Sequence, residues 1–162
     1  MLSKVFIVSI IIGTLGSVSA CSGHKADLGA KANYHSASKE LIRTITTSND
    51  AEVIKKAAMN VADLASPVLD QLTAKNKKCA QISDFIQKKK TEMYDMTPSQ
   101  LESNYHDGKA LPSFPEECHD LKELIVHPAT VVSLAKYSKD LAKAKEQMKD
   151  EIEEVIGHFE SL

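Results

Sequence analysis

Residues 131–162 read VVSLAKYSKDLAKAKEQMKDEIEEVIGHFESL. Within them Val131, Leu134, Ser138, Leu141, Lys145, Met148, Ile152, Val155, Phe159 and Leu162 recur at alternating steps of three and four. A helix gathers such a series into one apolar stripe, whereas a strand needs alternation of period two. Only Ser138 and Lys145 interrupt the stripe, so the spacing predicts one long helix with a coiled-coil-like seam. Its charges are segregated: Lys136, Lys139, Lys143 and Lys145 precede Asp150, Glu151, Glu153 and Glu154. That order opposes the helix dipole, which favours acids first and bases last. The helix is therefore expected to draw its stability from packing. The rest of the same chain is the favoured partner, so a monomer is expected ahead of an antiparallel homodimer.

The helical period continues back along the chain. Tyr34, Ala37, Leu41 and Ile45 mark a first helix ending near Thr47, and Ser48-Asn49-Asp50 offers caps for the next. That second helix carries Ile54, Ala57, Val61, Leu64, Val68 and Leu72, with Pro67 expected to kink or divide it. A third, over about residues 78–95, buries Cys79, Ile82, Ile86 and Met93. Thr97, Pro98 and Gln100 form a capping box for a short helix, and Gly108 is its stop. Ser113 with Glu116 reads as a second capping box, opening a helix over about 115–126 with Phe114, Cys118, Leu121 and Ile125 inside. His127 precedes Pro128, which disfavours helical backbone, so a bend is expected there. The fold expected is all-α: a single helical bundle with about four main helices plus a short helix, kinked or broken at Pro67 and Pro128.

The first residues have a different character. Lys4 is followed by an apolar run over 5–15, too short to span a bilayer, and then by the small residues Gly16-Ser17-Val18-Ser19-Ala20. These are the three zones of a secretory signal peptide. Val18-Ser19-Ala20-Cys21 resembles the lipobox of bacterial lipoproteins: an aliphatic residue, two small residues and an obligatory Cys. The resemblance implies a signal peptide over 1–20 and lipidation of Cys21 with diacylglycerol. A further acyl chain such as palmitate would join its amino group, and several chains anchor more firmly than one. Residues 21–27 would then be the lipidated N-terminus and a short tether, and 28–162 the bundle domain. In enterobacterial lipoproteins Asp after the Cys tends to retain a protein in the inner membrane. Ser22 stands there instead, which points to the periplasmic face of the outer membrane.

Composition and motifs narrow the function. The chain has 162 residues, enough for one domain, with 43% hydrophobic and 26% charged side chains and no Trp. From Cys21 onward 19 basic and 22 acidic side chains leave a net charge of −3. A protein of that charge lacks the basic face that phosphate backbones require, so no nucleic acid is expected as partner. Cys79 and Cys118 are expected to pair as a disulfide in an oxidising compartment. His106, Glu116, His119 and His127 are the candidate metal ligands. Glu116, His119 and Glu123 would share a helix face, and imidazole with carboxylate suits zinc or copper. Glu116-x-x-His119 has the spacing used in di-iron carboxylate bundles, but the second such pair is missing, because Glu154 and His158 are four apart. A small exported bundle is similar in architecture to the cytochrome b562-like fold, yet no Cys-x-x-Cys-His occurs for covalent haem.

Gly-x-Ser-x-Gly, phosphate-loop and His-Glu-x-x-His signatures are also missing. No catalytic residue, no cofactor and no enzymatic activity are therefore expected. Residues 105–130 resemble stretches in uncharacterised exported helical proteins, from which no function carries over. The first expectation is a membrane-anchored periplasmic lipoprotein with a non-catalytic helical domain that binds another cell-envelope component. The alternative is a metal- or small-ligand-binding module built on His106, His119 and His127.

Overall fold

Polar caps and apolar stripes divide the chain into α1 (Ser22–Thr47), α2 (Ala51–Lys75), α3 (Ala80–Met93), α4 (Pro98–Leu101), α5 (His119–Tyr137) and α6 (Leu141–Ser161). The structure, a computed structural model, describes the backbone of residues 22–162 and the side chains of residues 29–162. The expected signal peptide and Cys21 lie outside the described residues. Three-residue 3-10 turns, Lys77–Cys79 and Glu116–Cys118, lead into α3 and α5, and a π-helical turn, Glu102–His106, follows α4. Among the described residues there is no strand, and the fold is an all-α bundle with six α-helices, against the four main helices and one short helix expected. No helix among them is long and apolar enough to cross a membrane. Backbone expected to form a tether before residue 28 is helical from Ser22 onward.

Several boundaries follow from the caps. The Asp50 carboxylate accepts from the Glu52 N–H at 2.8 Å and opens α2. Thr97 and Gln100 cap each other's backbone around Pro98, and Gly108 adopts a left-handed φ of 80° where the π-turn ends. The second capping box does not form. Pro115 stands ahead of the 3-10 turn with no side-chain cap, and α5 begins three residues later than Glu116.

Helix α5 is the centre of the bundle. Every residue from Leu121 to Ala135 is buried, because α2, α3 and α6 enclose it, while α1 covers α2 and α6. This helix passes through Pro128, where a bend was expected. A proline inside a helix leaves the carbonyl four residues back without its N–H donor, here that of Leu124. The Tyr34 hydroxyl of α1 donates to the Leu124 carbonyl at 2.9 Å and supplies the missing bond. Burial pushes the Tyr34 hydroxyl's pKa up, so it stays protonated as the donor. Helix α2 likewise continues through Pro67. There the proline and Asp63, the residue whose carbonyl loses its donor, are both exposed, and water can serve instead.

The seam of residues 131–162 is real but belongs to two helices. Ser138 ends α5 and Asp140 caps α6, its carboxylate accepting from the Lys143 N–H at 3.1 Å. The chain then reverses, so that late residues of α6 meet early residues of α5: Glu151 meets His127, and His158 meets Asp120. Met148, Ile152 and Val155 are buried, and Phe159 packs on Tyr34 with ring centroids 5.2 Å apart. A break of three residues keeps the three-four count in step, which is why the sequence pattern shows no slip. The segregated charges find partners within the chain: Lys136 on Asp95 at 2.7 Å, Lys145 on Asn49 at 3.0 Å and Glu151 on His127 at 2.8 Å.

Cys79 and Cys118 are joined as a disulfide, with Cα atoms 5.4 Å apart. It links the two 3-10 turns and fixes the start of α5 to the start of α3.

Candidate metal centre

Helix α5 places His119, Glu123 and His127 at successive steps of four, on one face. Its central position makes the Glu123 and His127 part of that face an interior one. Glu123 and His127 keep only 3% of their side-chain surface exposed. Lys122, fully buried beside them, holds Glu123 Oε1. That pairing neutralises one carboxylate oxygen and leaves the other, Oε2, facing the histidines.

Two further elements complete the cluster. The π-turn after α4 delivers His106, whose Nδ1 lies 3.6 Å from Glu123 Oε2. A π-turn carries an extra residue per hydrogen-bonded ring, and such turns are frequent at functional sites. Helix α6 delivers Glu151, whose Oε2 lies 2.8 Å from His127 Nδ1 and 3.9 Å from His106 Nε2. His127 Nε2 in turn lies 3.7 Å from Glu123 Oε2 and 3.9 Å from Glu154 Oε2. The two imidazoles meet edge-on at 4.9 Å between centroids, with Glu123 on one side and Glu151 on the other.

Three buried atoms of this group have no hydrogen-bond partner: His106 Nε2, His127 Nε2 and Glu123 Oε2. Leaving a buried polar atom unsatisfied costs about 1–3 kcal/mol each. One ligand atom each from His106, His127 and Glu151 lie within 4.8 Å of one another. Ligands at about 2.0–2.2 Å from a tetrahedral ion stand about 3.4 Å apart, so closure needs shifts of about 1 Å. Two imidazoles with one or two carboxylates suit a borderline dication such as zinc or copper.

An outer pair of histidines adjoins the inner pair. His158 of α6 stacks on His127 with centroids 5.4 Å apart, and its Nδ1 lies 2.8 Å from Asp120 Oδ1. His119 lies 6.2 Å from His158 and brings Nε2 to 3.2 Å from Glu123 Oε1. The Ser161 hydroxyl donates to Asp120, and together with His158 it holds that carboxyl below its usual pKa despite partial burial.

Of the residues expected to bind metal, His106 and His127 come together at the centre. His119 stands at its rim. Glu116 does not join them: it is exposed in the turn Glu116–Cys118. Glu123, one helical turn further in, takes the place proposed for it. The sequence reading missed Glu151 and His158. Glu151 did leave a signal, since it falls three residues after Met148 and four before Val155, both buried. An acid so placed must turn toward the interior.

Fold and site together define the class: an all-α bundle with a buried histidine–carboxylate cluster at its central helix. No protein family matches the sequence, and neither a curated protein nor a solved structure is similar to it.

Proposed function

We propose that this chain is a lipid-anchored envelope protein whose bundle holds one transition-metal dication, zinc or copper, between His106, His127 and Glu151, with Glu123 as fourth donor. The observation that carries the reading is that ligand atoms of His106, His127 and Glu151 lie within 4.8 Å of one another in a cluster that also holds three buried, unpartnered polar atoms, His106 Nε2, His127 Nε2 and Glu123 Oε2. A bound cation would give His106 Nε2 the partner it lacks and would draw the two imidazoles and Glu151 together. The closed surroundings support holding the ion over catalysis, because catalytic centres keep a ligand position open to water or substrate. The anchor rests on the lipobox-like Val18-Ser19-Ala20-Cys21 alone.

This reading reverses the order expected from the sequence, which put binding of an envelope partner first and no cofactor at all. Among the described residues Val53 and Tyr137 are the large apolar side chains that stand exposed, and they offer that first expectation little support.

Zinc titration of the delipidated domain against a chelator of known affinity tests the proposal. It predicts uptake of one ion per chain, lost in His106→Ala and His127→Ala and weakened in Glu123→Gln. Absence of uptake, or full uptake by the His127→Ala variant, contradicts it.

A further inference from the structure

His119 and His158 do not belong to the inner set, yet they continue it outward. The four imidazoles His106, His127, His158 and His119 form a row with centroid separations of 4.9, 5.4 and 6.2 Å. Exposure rises outward from His127, which is 3% exposed, to His158 at 30% and His119 at 49%, while His106 at the other end is 17% exposed. Glu123 spans the boundary. Its Oε1 lies 3.2 Å from His119 Nε2, and its Oε2 lies within 3.7 Å of the nearest nitrogens of His106 and His127. A dication gives up its water reluctantly, and a closed centre admits it only if protein atoms replace that water step by step.

We propose that His119 and His158 are the loading face of the centre: the dication is first taken from solvent by these two imidazoles, then handed inward through Glu123 to His127 and His106. The inference rests on the metal-holding reading above. Each transfer exchanges one neutral imidazole or carboxylate ligand for the next, so no bond other than metal–ligand bonds is made or broken. Asp120 positions His158 through its 2.8 Å contact with Nδ1, which leaves Nε2 as the nitrogen for the ion. Other groups with access are Glu154, 65% exposed, whose Oε2 lies 3.9 Å from His127 Nε2, and to a smaller extent His106 at 17% and Glu151 at 14%. Glu154, the most exposed of these, offers a single carboxylate against two imidazoles and a bridging carboxylate.

A group on the path but outside the final set changes both directions of exchange equally and leaves affinity alone. Stopped-flow zinc uptake, with release followed in a chelator chase, reads the two rates. The His119→Ala/His158→Ala variant is expected to slow uptake and release together by about tenfold or more, with Kd within about threefold of wild type. His119→Asp in the His158→Ala background restores a ligand atom and is expected to recover much of the uptake rate. Glu154→Gln is expected to load at the wild-type rate. Wild-type rates in the double variant overturn the proposal, as does slowing by Glu154→Gln instead. Lost affinity with unchanged uptake also overturns it, since it makes His119 or His158 a final ligand. If wild-type protein takes no zinc at all, the metal-holding reading itself has failed, and that result is distinct from each of these.

Discussion

The hydroxyl of Tyr34 donates at 2.9 Å to the carbonyl of Leu124, ninety residues further along the chain, which Pro128 deprives of its helical donor. This contact lets the central helix run on past the proline. It also keeps His127 on the same face as His119 and Glu123, and so decides where the cluster lies.

Tyr34→Phe should therefore cost about 1–3 kcal/mol, because it strands a buried carbonyl as well as deleting a bond. Pro128→Ala returns a backbone N–H to that carbonyl. In the Pro128→Ala background the cost of Tyr34→Phe should shrink well below its wild-type value. Urea unfolding of the four proteins measures the coupling, and additive effects would count against this account.

Lys122 is buried with Glu123 as its partner. Lys122→Met leaves a buried carboxylate without a cation and should destabilise the metal-free protein by about 3–5 kcal/mol. Lys122→Met with Glu123→Leu removes both charges and should regain most of that loss. Unfolding midpoints of the single and double variants decide the matter.

The disulfide closes a loop spanning 39 positions. On the chain-entropy view, Cys79→Ser with Cys118→Ser should destabilise by about 4 kcal/mol. Denatured, unreduced protein should show no reactive thiol from these two residues. Thiol labelling before and after reduction is the check, and two labelled thiols without reductant would contradict the linkage.

Much of this architecture was legible from the chain. The seam of the last two helices and the caps at Asp50 and Thr97 are local patterns, and the Cys79–Cys118 pairing was expected from two thiols in a chain read as exported. The turn at residues 138–140 was hidden because its length preserves the apolar phase. The path of α5 was hidden for a different reason: the residue that rescues Pro128, Tyr34, lies on another helix. That single error removed His127 from the helix and with it the stripe of His119, Glu123 and His127. Glu151 was masked by its neighbours, since it sits in a run with Asp150, Glu153 and Glu154 that reads as a solvated face. The extra residue of the π-turn at Glu102–His106 has no sequence signature, so the inward placement of His106 could not be read either.

Lipidation is tested separately from the fold. Wild-type protein expressed in a bacterium that processes lipoproteins should carry acyl mass on a chain beginning at Cys21. Cys21→Ser should lack that mass and retain residues 1–20. Intact-mass spectrometry of detergent-extracted protein distinguishes the two, and an unmodified Cys21 in mature wild-type protein would refute the anchor.

Anomalous diffraction across the zinc absorption edge from zinc-loaded crystals tests the metal centre most directly. One strong peak is expected inside the bundle, about 2.0–2.2 Å from a donor atom of each of His106, His127 and Glu151. Peaks confined to exposed side chains such as His35 or Glu116, with the interior of the cluster empty, would contradict it.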